Sequence, residues 1–133
     1  MASIDHEIAR QMFAGWNSGN VDRMTEFWAE DGDWIWEDPP DMPDARVLRG
    51  RGEVEAHLRD LIETLGEMSM TIEEMADVDD ELMVVTRFTT RGAQSGIQVD
   101  VPIFHLVDFE DGRVRRYRTF TDREQALRAA ESG

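Results

Sequence analysis

Apolar residues recur at helical spacing three times in the first half of the chain and at strand spacing through most of the second. Ile8, Met12, Phe13 and Trp16 form one helical stripe, broken by Ser18-Gly19-Asn20. Asn20 can cap a second, shorter helix with Val21, Met24, Phe27 and Trp28 on its apolar side. Residues 30–33 read as a turn, Trp34 opens a strand, and residues 39–49 read as a loop with three prolines. A third helix is expected from Gly50 to about Leu65, with Val54, His57, Leu58 and Leu61 on one side. Beyond it the period changes to two. Strands are expected over 68–78, 81–91, 97–110 (interrupted by Pro102) and 113–121. Asp111-Gly112 is a hairpin signal, and Asp122 with Gln125 three residues on caps a short terminal helix. Helices followed by a run of antiparallel strands define an α+β domain spanning residues 1–133. Three N-terminal helices packed on a curved antiparallel sheet are expected to make a cone-shaped α+β barrel around a hydrophobic cavity, the usual kind of ligand site.

The stretch Trp34–Pro40 holds the most chemistry. Trp34, Trp36 and Asp38 alternate, so a strand points all three to one face. Pro39 and Pro40 end that strand. An apolar wall disfavours a carboxylate and raises its pKa, which suits a general base. A solvated turn carboxylate before a proline is the other reading of Asp38.

Composition removes several function classes. The 133 residues carry 29 acids and 14 bases, for a net charge of −15, so nucleic acid and anionic membranes are poor partners. All the bases are arginine, which excludes lysine Schiff-base chemistry and a phosphate-loop lysine. Without cysteine there are no disulfides, thiolate nucleophiles or zinc–thiolate sites. His6 and His105 do not fall with acids at metal-ligand spacing, so no metal is expected, and no other cofactor. No apolar run reaches the roughly 20 residues that cross a bilayer. The N-terminus lacks a basic region followed by an apolar one, so a cytoplasmic protein is expected.

The element order and several local motifs resemble the nuclear-transport-factor-2-like superfamily, which includes SnoaL-like polyketide cyclases, ketosteroid isomerases and limonene epoxide hydrolases. The motifs are Ser18–Asp22, Phe27–Asp31, Glu37-Asp38-Pro39, Gly50-Arg51 and Phe109–Val114. In ketosteroid isomerases an Asp in a Glu-Asp-Pro context is the proton-transferring base, and the resemblance gives that role to Asp38. The oxyanion donors of that family fall at Met12 and Phe104, which donate no hydrogen bond. The epoxide hydrolase pattern keeps Arg87 but has Thr89 and Thr119 where its carboxylates stand.

The catalytic candidates are therefore Asp38, His57 and Arg87. His57 either shares a proton with Asp38 or is a core histidine. Arg87 either faces inward to hold a carboxylate or enolate, or pairs with Asp100. Trp16, Trp34, Trp36, Asp100, Phe104, Tyr117 and Thr119 are the candidate substrate-binding residues, with Tyr117 offering the hydroxyl that Met12 lacks. Residues 97–110 are apolar on both faces, so one face lines the cavity and the other packs a homodimer sheet to sheet. Arg113, Arg115, Arg116 and Arg118 read as ion-pair partners. The leading expectation is a cofactor-independent enzyme moving a proton next to a carbonyl on a hydrophobic small molecule, by isomerisation or aldol-type cyclisation. The alternatives are a non-catalytic binder of such molecules and a structural dimerisation module.

Overall fold

The computed structural model describes residues 3–36, 47–65, 67–78, 81–91 and 100–132. Helices α1 (Ser3–Asn17) and α2 (Val21–Thr25) lead into strand β1 (Trp28–Trp36), and the short β2 (Val47–Leu48) precedes α3 (Gly50–Leu65). Strands β3 (Glu67–Val78), β4 (Glu81–Arg91), β5 (Asp100–Glu110) and β6 (Arg113–Phe120) follow, and α4 (Arg123–Ser132) ends the chain. The strands form one sheet in the order β2-β1-β6-β5-β4-β3.

This is the expected α+β architecture with two corrections to the sheet. It is mixed rather than antiparallel, because three successive reversals through β3–β6 bring β6 back alongside β1 in the same direction. It is also open: β2 and β3 are its edges, so no barrel closes. Strand β1 begins at Trp28, ahead of the expected turn, and absorbs residues 29–32 as a register shift between Trp28 and Asp33.

That irregularity has a specific cause. The Trp28 indole N–H turns back and donates to the Gly32 carbonyl at 2.9 Å. A Cβ on Gly32 would stand 2.5 Å from the Val114 carbonyl oxygen and 2.7 Å from the indole. Backbone on one side and a buried ring on the other leave nothing to yield. Gly32→Ala is expected to lower stability by about 1–3 kcal/mol, the usual range for overpacking, read as a lower denaturant midpoint. An unchanged midpoint would show that the bulge relaxes freely.

Two polar ties place the helices. Asp33 Oδ1 accepts from the Gly50 backbone N–H at 3.1 Å and fixes the start of α3 to β1. Gly50 has a φ of 85°, the left-handed region that favours glycine. At the end of α1 the Asn17 amide donates to the Met70 carbonyl at 3.1 Å and accepts from its N–H at 2.6 Å. It thereby substitutes for a neighbouring strand at the edge of β3.

The sheet has two covered faces. On the inner face Ile8, Phe13, Val54 and Leu58 pack on Leu82, Val84, Val107 and Val114. On the outer face Met83, Val85, Phe104, Leu106 and Phe120 pack under Ala126 and Ala130 of α4. The terminal helix, capped by Asp122 accepting from Gln125 N–H at 3.3 Å, is therefore the partner that these outer apolar residues require. Among the described residues Val47 and Val101 are the exposed large hydrophobics. Position 102 lies past the end of β6, whose last residue pairs with Phe104. It has a strand neighbour on one side only, where a proline is tolerated.

The arginine cluster of β6 forms ion pairs. Arg118 reaches Glu81 at 2.7 Å and Arg115 reaches Asp108 at 2.7 Å. The Arg118–Glu81 pair is almost fully covered, so removing one partner would strand a buried charge. No helix among the described residues is long and apolar enough to cross a membrane.

Candidate functional site

The inner face carries an aromatic cluster where α1, α2, α3, β1 and β6 meet. Tyr117 of β6 pairs across the sheet with Trp34 of β1. Its ring lies 5.6 Å from Trp34, 5.3 Å from Trp28 and 5.3 Å from the His105 ring of β5. Strand alternation sets this, because Trp34, His105 and Tyr117 occupy inward positions on neighbouring strands. The Trp34 indole N–H donates to Thr119 Oγ1 at 2.8 Å, which locks the ring against the sheet. His57 of α3 meets the same indole edge-on, centroids 5.5 Å apart.

Beneath the aromatics runs a chain of buried polar side chains. Tyr117 Oη lies 2.8 Å from His105 Nδ1, and His105 Nε2 lies 3.0 Å from Thr86 Oγ1. The Thr86 hydroxyl lies 3.2 Å from the Ile103 carbonyl oxygen. Burial alone pushes the His105 imidazole down to about 3, so the ring is neutral at physiological pH. Burial likewise pushes the Tyr117 phenol well above its ordinary range, so it too stays neutral.

A cavity of about 30 Å3 opens above this chain, walled by Met12, Phe13 and Trp16 of α1 and Met24 of α2. Trp28, Trp34, Leu58 and Tyr117 complete it. The space is no larger than one or two waters, and its almost wholly apolar wall gives a water few partners. A larger ligand enters only as side chains give way, and the two flexible methionines are the ones best suited to do so. Every described lining residue is uncharged. The Trp16 indole nitrogen is buried with no hydrogen-bond partner among the described residues.

The structure brings Trp16, Trp34 and Tyr117 together around this cavity, with Thr119 and His57 against Trp34. It places Arg87, Asp100 and Phe104 elsewhere. Arg87 pairs across the strands with Pro102, and its side chain is exposed on the outer face. There it donates to Asp100 at 2.7 Å and to Glu73 at 3.4 Å, and these carboxylates raise its pKa. Phe104 is buried under α4, with the Arg123 guanidinium 5.4 Å above its ring. The inward reading of these three is thus corrected: on β4 and β5 the even positions of 82–88 and the odd positions of 103–109 face the cavity. Asp38 and the Trp36 side chain lie outside the described residues. His105 and Thr86 are the inward polar residues that sequence reasoning missed. The signal was available in the alternation of Ile103, His105 and Val107. Among the described residues no cluster of His, Asp and Glu is arranged to hold a metal.

The SnoaL-like domain family matches residues 9–117. No curated protein matches the chain. Among solved structures, Bal32a from a soil-derived mobile gene cassette is 24% identical with a TM-score of 0.78, over 90% of this chain and 89% of that one. A putative SnoaL-like polyketide cyclase from Jannaschia sp. CCS1 is 20% identical with a TM-score of 0.75, over 98% and 94%. TerC co-crystallised with polyporic acid is 16% identical with a TM-score of 0.77, over 96% and 98%. At these identities the likeness establishes the fold.

Proposed function

This chain belongs to the SnoaL-like domain family, and on that footing we propose that it binds a small hydrophobic carbonyl compound in the aromatic pocket and moves a proton on it without a cofactor. The observation that carries this reading is the uncharged pocket of Trp16, Trp28, Trp34 and Tyr117 seated on a buried hydroxyl–imidazole chain. Such a wall favours an apolar ring and excludes water from it. Asp38 is the base of the proposal. It takes a proton from the carbon next to the carbonyl, the C–H pair becomes the enolate C=C and the carbonyl π pair moves onto oxygen. Then either Asp38 returns the proton to another carbon of the conjugated system, or the enolate carbon attacks a second carbonyl of the same molecule, whose π pair becomes an alkoxide that takes the proton from Asp38. His57, edge-on against Trp34, is a second group beside the pocket whose side-chain type can carry a proton. TerC, a protein of the same fold, was co-crystallised with polyporic acid, which supports reading this fold as one that takes a small organic ligand.

The experiment is hydrogen–deuterium exchange of cyclohexanone and 2-tetralone in D2O, followed by proton NMR. Exchange next to the carbonyl faster than in buffer is expected for at least the larger ketone. A rate equal to buffer would leave the second reading, a binder without chemistry. One observation favours that reading: no described lining residue is ionised, and the one phenol–imidazole pair is held neutral by burial.

A further inference from the structure

The Thr86–His105–Tyr117 chain has a direction, and the direction decides what the pocket recognises. A neutral imidazole carries one N–H and one bare nitrogen, so the three side chains hold three hydrogens to place. In one arrangement Thr86 donates to the Ile103 carbonyl, His105 Nε2–H donates to Thr86 Oγ1, and Tyr117 O–H donates to the bare Nδ1. All three hydrogens then have acceptors at 3.2, 3.0 and 2.8 Å. In the reverse arrangement Thr86 donates to Nε2 and Nδ1–H donates to Tyr117, which leaves the phenol hydrogen of a buried residue with no acceptor among the described residues. A buried donor left unmade is costly. The Ile103 carbonyl beside Thr86 therefore selects the first arrangement.

From this geometry we infer that Tyr117 meets a bound ligand only as a hydrogen-bond acceptor, so that the pocket selects apolar molecules carrying a hydroxyl group, phenols and enols, over those carrying an ether or carbonyl alone. The inference rests on the pocket being the ligand site proposed above and names the substrate class of that site: a carbonyl compound that also bears a hydroxyl. The phenol hydrogen is committed to Nδ1, and the oxygen keeps its remaining lone pair for whatever lies against it. Thr86 is a positioning residue here. It touches no ligand, but it fixes which imidazole nitrogen is protonated and hence which way the Tyr117 hydroxyl points.

Two measurements test this. The first is a long-range nitrogen–proton NMR spectrum of the His105 ring. Nε2 is expected to carry the hydrogen and Nδ1 to be bare, and the opposite tautomer in the wild type overturns the inference. In Thr86→Val, a variant of the same shape, Nε2–H loses its acceptor and the ring is expected to move to the Nδ1–H form. An unchanged Nε2–H ring in that variant removes Thr86 from the account. The second measurement compares phenol, anisole and cyclohexanone by ligand-observed NMR titration. Phenol is expected to bind about tenfold tighter than anisole, the gain of one hydrogen bond. Tyr117→Phe and Thr86→Val are both expected to remove that preference. Equal binding of phenol and anisole sinks the inference while leaving the pocket and its ketone exchange standing. Binding of none of the three sinks the pocket reading with it.

Discussion

Replacing Asp38 by asparagine is expected to lower the rate of ketone proton exchange by about a hundredfold or more, with the unfolding midpoint unchanged. The magnitude is that of losing a positioned general base. No other base stands in the described pocket. Its lining offers methionine, leucine and aromatic side chains, none of which accepts a proton in this pH range. Tyr117 and His105 are tied to each other, and burial keeps both neutral. The two His105 ring nitrogens are engaged by Tyr117 and Thr86, so neither is free to take a proton from carbon. Arg87, the strong cation expected on this wall, is on the other face and paired with two carboxylates. Asp38 is then the group on which the proposed chemistry depends. Asparagine keeps the size and a carbonyl oxygen and loses the basic site. Equal exchange rates in wild type and Asp38→Asn would move the chemistry to His57, and His57→Asn is the variant to measure next.

The elements were legible in the sequence because each has a local cause. Gly50 to Leu65 carries a helical stripe and is a helix over those residues. Asp111-Gly112 is a turn with positive φ at both residues, as its hairpin signal requires. The start of β1 was not legible, because residues 30–33 contain the acids and glycine of a turn. Only the partner strand reveals that Gly32 is needed for a close approach to Val114 and Trp28. The site was half legible. Alternation groups Trp34 with Asp38 and Tyr117 with Thr119, the family resemblance makes these the cavity faces, and Trp34 and Tyr117 do face each other across β1 and β6. Arg87 and Phe104 failed for a physical reason: both faces of β4 and β5 are apolar, so hydrophobicity does not reveal which one is inside. The second apolar face exists because ten residues at the C-terminus fold back over it as α4. A helix of that length, with alanines at 126 and 130 to allow close packing, reads in the sequence only as a short terminal helix with no sheet face assigned to it. Had it been given a sheet face to cover, the parity of β5 would have reversed, and His105 rather than Phe104 would have pointed inward.

His105 also makes acid stability the second large effect. Burial holds its folded pKa near 3, whereas the unfolded chain takes up the proton near the ordinary 6.5. Between those values the unfolded state binds more protons than the folded one, so stability falls as pH falls through this window. The stabilising contribution is fully present above 6.5 and is lost progressively toward 3. Each pH unit is worth at most about 1.4 kcal/mol for one group, so the drop from pH 6.5 to 5 is about 2 kcal/mol. His105→Gln keeps an amide donor and acceptor near Thr86 and Tyr117 but cannot be protonated. It is expected to be less stable than the wild type at pH 7, because the bond lengths of the chain are disturbed. Its stability should also change less between pH 7 and 5, by about the same 2 kcal/mol. Urea unfolding of both proteins at pH 7, 6 and 5 measures the difference, and groups shared by the two proteins cancel in the comparison. Parallel slopes would mean that the His105 ring takes up its proton in the folded protein, which requires water to reach the Tyr117–His105 bond. The same result would then make His105 available as a proton carrier at the floor of the pocket, and the neutral wall on which the binding argument rests would be lost.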